Sequence, residues 1–244
     1  MQSKFSLANQ RILITGAGGG IGSTTAAVCA QQGAEVILVD RTHKDALVSQ
    51  LEAAGHIVSF HACDVSKREE VEALCKRIGP VDAAILNAGV NTWGPWTEDD
   101  FDSVFEQTMD VNVLGSINFC RALLPGMKAQ GRGRLVLMGS VVAWTGGTME
   151  SVPLHYVISK GGVHAMLKWL VRRASPEVLV NAVAPGPVRT AMNADQPWTP
   201  PSSMPIPRLA DPQEIAWPMA FLCSDAASFI NGVVLDINGG NYMR

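Results

Sequence analysis

The stretch HYVISKGGVHAML sets Tyr156 and Lys160 four residues apart on a segment of helical pattern, so both side chains project from one face and can approach the same ligand. A free tyrosine has a pKa near ~10 and is a poor base at neutral pH. A positive charge beside it favours the phenolate, which can then exchange a proton with a bound molecule. The same spacing also decorates ordinary solvated helices, so the surroundings decide its meaning. Ser140 closes the apolar run RLVLMGS at 134–140, and its hydroxyl could hold a substrate oxygen in place.

A second chemistry-bearing segment lies near the start. ITGAGGGIGSTTA places Gly16, Gly18, Gly19, Gly20 and Gly22, with Ile21 among them, between the apolar run RILIT at 11–15 and a helical pattern that continues to Gln32. Side chains at such a turn would keep a diphosphate away from the backbone N–H groups of a helix N-terminus, where the helix dipole also favours negative charge. The spacing is G-x-x-x-G-x-G rather than G-x-G-x-x-G. Asp40 follows Gly16 by 24 residues, at the end of the next apolar run. An acidic side chain there can accept hydrogen bonds from both hydroxyls of an adenosine ribose and would repel a 2′-phosphate. Arg41 complicates the choice, because a guanidinium can stack on adenine or grip a phosphate. With Gly19 rather than a basic residue inside the turn, these electrostatics favour NAD and leave NADP open.

The elements that must position these groups alternate. Strands are expected at 11–15, 34–40, 56–64, 81–89, 134–140, 178–186 and 233–239, and helices between them, including 66–78, a long region from about 98 to 130, 155–174 and 211–223. Ser66 with Glu69 three places on reads as a capping box, and Gly115 and Pro125 are expected to divide or end the parts of the long region. Apolar strands alternating with helices require a mostly parallel sheet between helix layers with right-handed crossovers, an α/β doubly wound fold. Ser140, Asp40 and the glycine turn then share the carboxyl edge of the sheet, where such folds bind ligands. DQPWTPPSSMPIP at 195–207 carries five prolines, too many for a helix, and we expect a lid over the site at about 191–207.

Composition bounds the rest. The 244 residues, 47% of them apolar, suit one α/β domain spanning 1–244. A net charge of −3 offers no basic surface for a phosphate backbone, so nucleic acid is not an expected partner. No apolar run reaches the ~18 residues that could span a bilayer, and MQSKFSLANQ lacks a signal-peptide core, so we expect no membrane association and a cytoplasmic location. The five cysteines are widely spaced with no C-x-x-C pair and read as small core residues of a reducing compartment. His56, His61, Cys63 and Asp64 include zinc-ligand types, but HIVSFHACD fits a strand and its exit and no second cluster has zinc-site spacing; no metal is expected.

Taken together, TGAGGGIG at 15–22, Asp64, LNAG at 86–89, Asn112, Ser140, YVISK at 156–160 and PGPVRT at 185–190 make the chain resemble the short-chain dehydrogenase/reductase family over nearly its whole length. The resemblance implies a Rossmann-type sheet of seven strands, a nicotinamide cofactor and a catalytic group of Asn112, Ser140, Tyr156 and Lys160. It further implies Asp64 and Val65 near the adenine, Asn87, Ala88 and Gly89 near the adenosine ribose, and Pro185, Gly186, Val188 and Thr190 near the nicotinamide amide and diphosphate. Lys160 would also bind the nicotinamide ribose, and Asn112 would help hold a proton-relaying water. Many such proteins are homotetramers, and Trp169, Trp217 and the segment NGGNYMR are candidates for subunit surfaces. Ser140 and Tyr156 stand 16 apart, a few more than the family pattern, so the loop 141–154 carries a small insertion.

Trp93, Trp96, Trp144 and Trp198 fall in the three segments expected to border the substrate. Indoles can cover an apolar or aromatic body or the flat face of a sugar. The expected activity is interconversion of a secondary alcohol and a ketone with a cyclic, aromatic or apolar body; a polyol or sugar comes second and a 3-oxoacyl thioester third. A nucleotide-sensing protein that has lost catalysis is the non-enzyme alternative.

Overall fold

A computed structural model describes residues 3–147, 151–194, 199–201 and 204–244. Seven parallel strands form one sheet in the order β3-β2-β1-β4-β5-β6-β7: β1 Arg11–Thr15, β2 Glu35–Asp40, β3 Val58–Ala62, β4 Ala83–Leu86, β5 Gly133–Met138, β6 Val178–Pro185 and β7 Val234–Ile237. Sequence order reverses between β1 and β4, which opens a crevice at the carboxyl ends of the strands. The fold is the doubly wound Rossmann-type α/β arrangement, and every pairing is parallel.

Two apolar layers explain why the strands are almost continuously hydrophobic. Leu13, Ile37, Ala84, Leu135 and Val180 face one side, and pack with residues of α3 (Arg68–Ile78), α5 (Gly115–Ala129) and α7 (Leu154–Ala174). Their neighbours Ile12, Val36, Ile85, Val136 and Val183 face the other, against α1 (Gly20–Gln31) and α8 (Pro212–Cys223), while α2 (Asp45–Ala53) adds Leu51. Period-two alternation with both faces covered leaves little room for polar residues in the strands.

Two local expectations are corrected, and a third is borne out. Ser66 does not cap α3: its hydroxyl donates to Asp64 Oδ1 at 2.7 Å, and Asp64 N–H is held by Glu70. Pro125 lies inside α5 rather than ending it. It sits on the exposed face, where water can take the carbonyl of Arg121 that a proline cannot satisfy. The long helical region is divided where Gly115 was expected to divide it, with a π-helical turn at Asp110–Leu114 between α4 (Phe101–Met109) and α5. Gly115 follows that turn because a Cβ there would stand 2.7 Å from the Val65 side chain.

Candidate active site

A cavity of about 360 Å³ runs along the carboxyl edge of the sheet. Parallel pairing delivers the exits of six strands to this edge, and that is why residues far apart in the chain line it. From β1 it receives Gly16, Gly19, Gly20, Ile21 and Gly22; from β2, Asp40 and Arg41; from β3, Asp64 and Val65; from β4, Asn87, Ala88 and Gly89. Ser140 follows β5, and Pro185, Gly186, Val188 and Thr190 end or follow β6. Tyr156 and Lys160 enter from α7.

The glycine turn is built for close approach. Gly16 has φ +64°, and a Cβ on it would stand 2.8 Å from the Cα of Ala88. The amide of Asn87 donates to the carbonyls of Thr15 and Gly16, and Ala88 N–H donates to the Thr15 hydroxyl, so the exits of β1 and β4 are tied together. The first main-chain bond at the start of α1 runs from Ser23 N–H to the Gly19 carbonyl, which leaves the preceding N–H groups without helical partners. These groups border the cavity, in keeping with a diphosphate. A Cβ on Gly89 would stand 3.6 Å from Lys160 Nζ and 3.3 Å from Asn112 Oδ1, so glycine leaves that space open. The residues present therefore fit an extended dinucleotide.

Asp40 accepts from Gly18 N–H and Arg41 N–H, each at 2.8 Å. The Lys44 stem lies across Gly18, and a Cβ there would meet both Lys44 and Asp40. Burial opposes ionisation of Asp64, yet the hydroxyl and N–H of Ser66, with the charges of Arg41 and Lys67, hold its carboxyl below the ordinary value.

At the other end, Lys160 Nζ donates to the Met138 carbonyl at 2.9 Å and stands 5.5 Å from the Tyr156 ring centroid. Burial lowers the Lys160 ammonium to about 8 and raises the Tyr156 phenol to about 12, the latter partly opposed by a hydrogen bond from Ser140. Desolvation of the phenol thus prevails in this structure, and added positive charge in the cavity would favour the phenolate. Asn112 occupies the π-helical turn and does not line the cavity. Its Oδ1 accepts from Val90 N–H at 2.8 Å, and its Nδ2 donates to the Val90 carbonyl and the Ser159 hydroxyl, each at 3.0 Å. It joins the β4 exit to α7, and such turns recur at functional sites.

The four tryptophans separate. Trp93 lines the cavity, and its indole N–H donates to the Met192 carbonyl across the mouth. Trp96 is 67% exposed and is not part of the lining. Trp144 packs behind Ser140, its ring 4.6 Å from that of His164, and does not face the cavity. Trp198 lies outside the described residues. The lining residues Asn91, Val142, Val152 and Met192 fall within the segments 90–97, 141–154 and 191–207 expected to border the substrate, though none was singled out, and Leu209 falls just beyond them. All five sit on the connections after β4, β5 and β6, where the carboxyl-edge rule points.

The model of the short chain dehydrogenase family matches residues 10–199, which include the glycine turn, Ser140, Tyr156 and Lys160. The chain belongs to this family. Similar curated proteins include the uncharacterized oxidoreductase YmfI of Bacillus subtilis, 34% identical over 95% of this chain and 98% of that one. Another is the 3-oxoacyl-[acyl-carrier-protein] reductase FabG of Thermotoga maritima, 34% identical over 93% and 96%. A solved gluconate 5-dehydrogenase of Burkholderia cenocepacia, in complex with NADP and tartrate, superposes with a TM-score of 0.86 at 27% identity, covering 97% of this chain and 96% of that one. This short-chain dehydrogenase is accordingly an NAD(P)-dependent oxidoreductase. Among the described residues no helix is long and apolar enough to cross a membrane, and no group of three or more metal-ligating side chains is assembled.

Proposed function

We propose that this short-chain dehydrogenase interconverts a secondary alcohol and a ketone whose body is uncharged and cyclic, aromatic or otherwise apolar, with NAD as the preferred cofactor. The observation that carries this is the lining beyond Tyr156. Val141, Val142, Val152, Met192, Leu209 and Trp93 form it, with Asn91 and Asn193 as its amides. The charged side chains that line the cavity, among the described residues, are Asp40, Arg41 and Asp64 at the adenosine end and Lys160 beside Tyr156. Lys160 apart, a carboxylate substrate would be desolvated there without a charged partner among the described residues.

In this reading Ser140 donates to the substrate oxygen and fixes its direction, and the Tyr156 phenolate removes the alcohol proton. The nicotinamide, when bound, takes up or returns the hydride, and its oxidised form supplies a positive charge. Lys160 contributes the second charge beside the phenol and donates to the nicotinamide ribose. Asn112 keeps Val90 and Ser159 in register and, with its neighbours, would retain a proton-relaying water. The glycines 16, 19, 20 and 22, Ile21 and Thr190 hold the diphosphate, Asp40 the adenosine ribose, and Asp64 with Val65 the adenine.

Relatives named for gluconate and 3-oxoacyl-carrier substrates make a polyol and a thioester the next candidates. The described cations flanking the lid are already occupied: Arg189 pairs with Asp211, and Arg208 makes a two-point pair with Glu214. That arrangement offers a carrier phosphate little free charge. Lys44 and Arg41 beside Asp40 favour NADP as the second cofactor reading. One domain is proposed, with a lid at about 191–207; residues 195–198 and 202–203 of that segment lie outside the described residues, and Ala191, Met192 and Asn193 line the cavity. A homotetramer is supported by the exposed apolar side chains of Leu154, Ile158 and Trp169 on α7 and by the exposed Trp217 on α8. A cytoplasmic location is supported by five cysteines that are all free and buried.

The test is purified protein with NAD or NADP and a panel of cyclic, aromatic, polyol and carboxylate alcohols, followed at the reduced-nicotinamide absorbance. Turnover of neutral ring alcohols with NAD supports the proposal. Tight cofactor binding with silence across the panel would move it to a nucleotide sensor.

A further inference from the structure

Ser140 is followed by one short helix, α6 (Val142–Thr145), which ends at Gly146 in the left-handed conformation. A single turn of this length does not hold itself together in water. Something else must fix it, and the structure supplies a set of side chains from the far end of the sheet.

Trp144, four residues after Ser140, is half-buried and held by several partners. Its indole N–H donates to Asp236 Oδ1 on β7 at 3.3 Å. The Arg244 guanidinium stacks 4.8 Å from its ring centroid, and Arg244 Nε pairs with Asp236 Oδ2 at 2.9 Å. Tyr242 lies nearly parallel to the indole, with centroids 6.3 Å apart and planes 14° apart. A second Arg244 nitrogen donates to the Val234 carbonyl, and the Tyr242 carbonyl accepts from the Asn238 amide. On its inner side Trp144 presses on His164, whose Nε2 faces the Ser140 N–H at 3.4 Å. Gly139 permits that approach, because a Cβ there would stand 2.2 Å from the same His164 nitrogen.

We propose that Asp236 and Arg244, acting through Trp144 and His164, form a strap that positions Ser140 for the reaction. This rests on the reading of Ser140 as the hydroxyl that orients the substrate. None of the four touches the cavity, so they are positioning residues. His164 suits the part: burial, then the Lys160 charge, lower its pKa to about 4, so the ring stays neutral, and in the tautomer protonated at Nδ1 its Nε2 accepts from Ser140 N–H. Among the described residues nothing partners its Nδ1, so the ring is fixed by packing against Trp144 and by Ser140 rather than by a second hydrogen bond. Loosening Trp144 would therefore be felt at Ser140, where small misplacements are costly to a chemical step.

The experiment compares Arg244→Ala, Arg244→Lys, Asp236→Asn and Trp144→Phe with the parent, and Ser140→Ala as the control, using an alcohol the parent oxidises. Arg244→Ala and Asp236→Asn should each lower kcat about tenfold while KM for the cofactor stays within about twofold and the melting temperature is little changed. Arg244→Lys, which keeps the ion pair and loses the planar stack, should recover part of the loss. Trp144→Phe, which keeps a ring beside His164 and loses the indole N–H, should fall between and guards against a folding defect in the others. Parental kcat in Arg244→Ala and Asp236→Asn beside an inactive Ser140→Ala would overturn the strap alone. An active Ser140→Ala would instead remove the catalytic reading beneath it.

Discussion

The two ends of the cleft are made differently. The cofactor end consists of strand exits whose backbone does most of the work: Gly16 and Ala88 in close contact, Asn87 bonded to two carbonyls, Asp40 held by two N–H groups. The substrate end consists of side chains on loops, Trp93 reaching across to Met192 and valines on the segment after Ser140. A fixed ligand can be matched by backbone geometry, which tolerates few substitutions. A variable one is matched by side chains, which can change without disturbing the sheet.

That contrast can be broken most sharply at Ser140, the hydroxyl read as orienting the substrate. Ser140→Ala should lower kcat by about 10²–10³-fold with cofactor affinity unchanged, measured by steady-state kinetics alongside a cofactor titration; a loss confined to cofactor binding would mean that the two ends are not divided as described. Next in size is Gly16→Ala. Its positive φ and the Ala88 backbone leave no place for a methyl group, so stability should drop by about 2 kcal/mol and cofactor affinity with it, checked by urea melts and titration. Asp40→Ala should narrow the preference for NAD over NADP about tenfold at constant substrate KM, the reading being the ratio of kcat/KM for the two cofactors. The smallest effect is expected from Trp93→Ala, which should raise KM for the alcohol roughly threefold while KM for NAD holds, because only the substrate wall is lost.

The same contrast governs what could be read from the sequence. RILIT followed by a glycine cluster, and Asp40 at the end of the next apolar run, announce strand, turn and ribose site because backbone requirements leave local marks. Nothing in DVNVL announces a π-helical turn, since the extra residue per turn depends on Asn112 finding Val90 and Ser159. Pro125 looked like a helix end, yet it is accommodated on the exposed face of α5. The tryptophans mark where large surfaces are buried but not against what: Trp93 meets the cavity, Trp96 meets solvent, and Trp144 meets His164 and Arg244. Those partners lie 20 and 100 residues further along the chain, beyond the reach of local pattern.

The central claim is that the Tyr156 phenol carries the proton, and pH profiles of the parent and of Tyr156→Phe test it most directly. Burial pushes the phenol up to about 12 in the absence of cofactor, so alcohol oxidation, which needs the phenolate, should speed up as pH rises from 6 to 10, and ketone reduction, which needs the phenol, should stay nearly level over the same range. Tyr156→Phe should lose about 10³-fold in kcat and the pH dependence with it, while NADH still binds as tightly as to the parent. A Phe variant that turns over at the parental rate, with the same rise in oxidation rate with pH, would contradict the account.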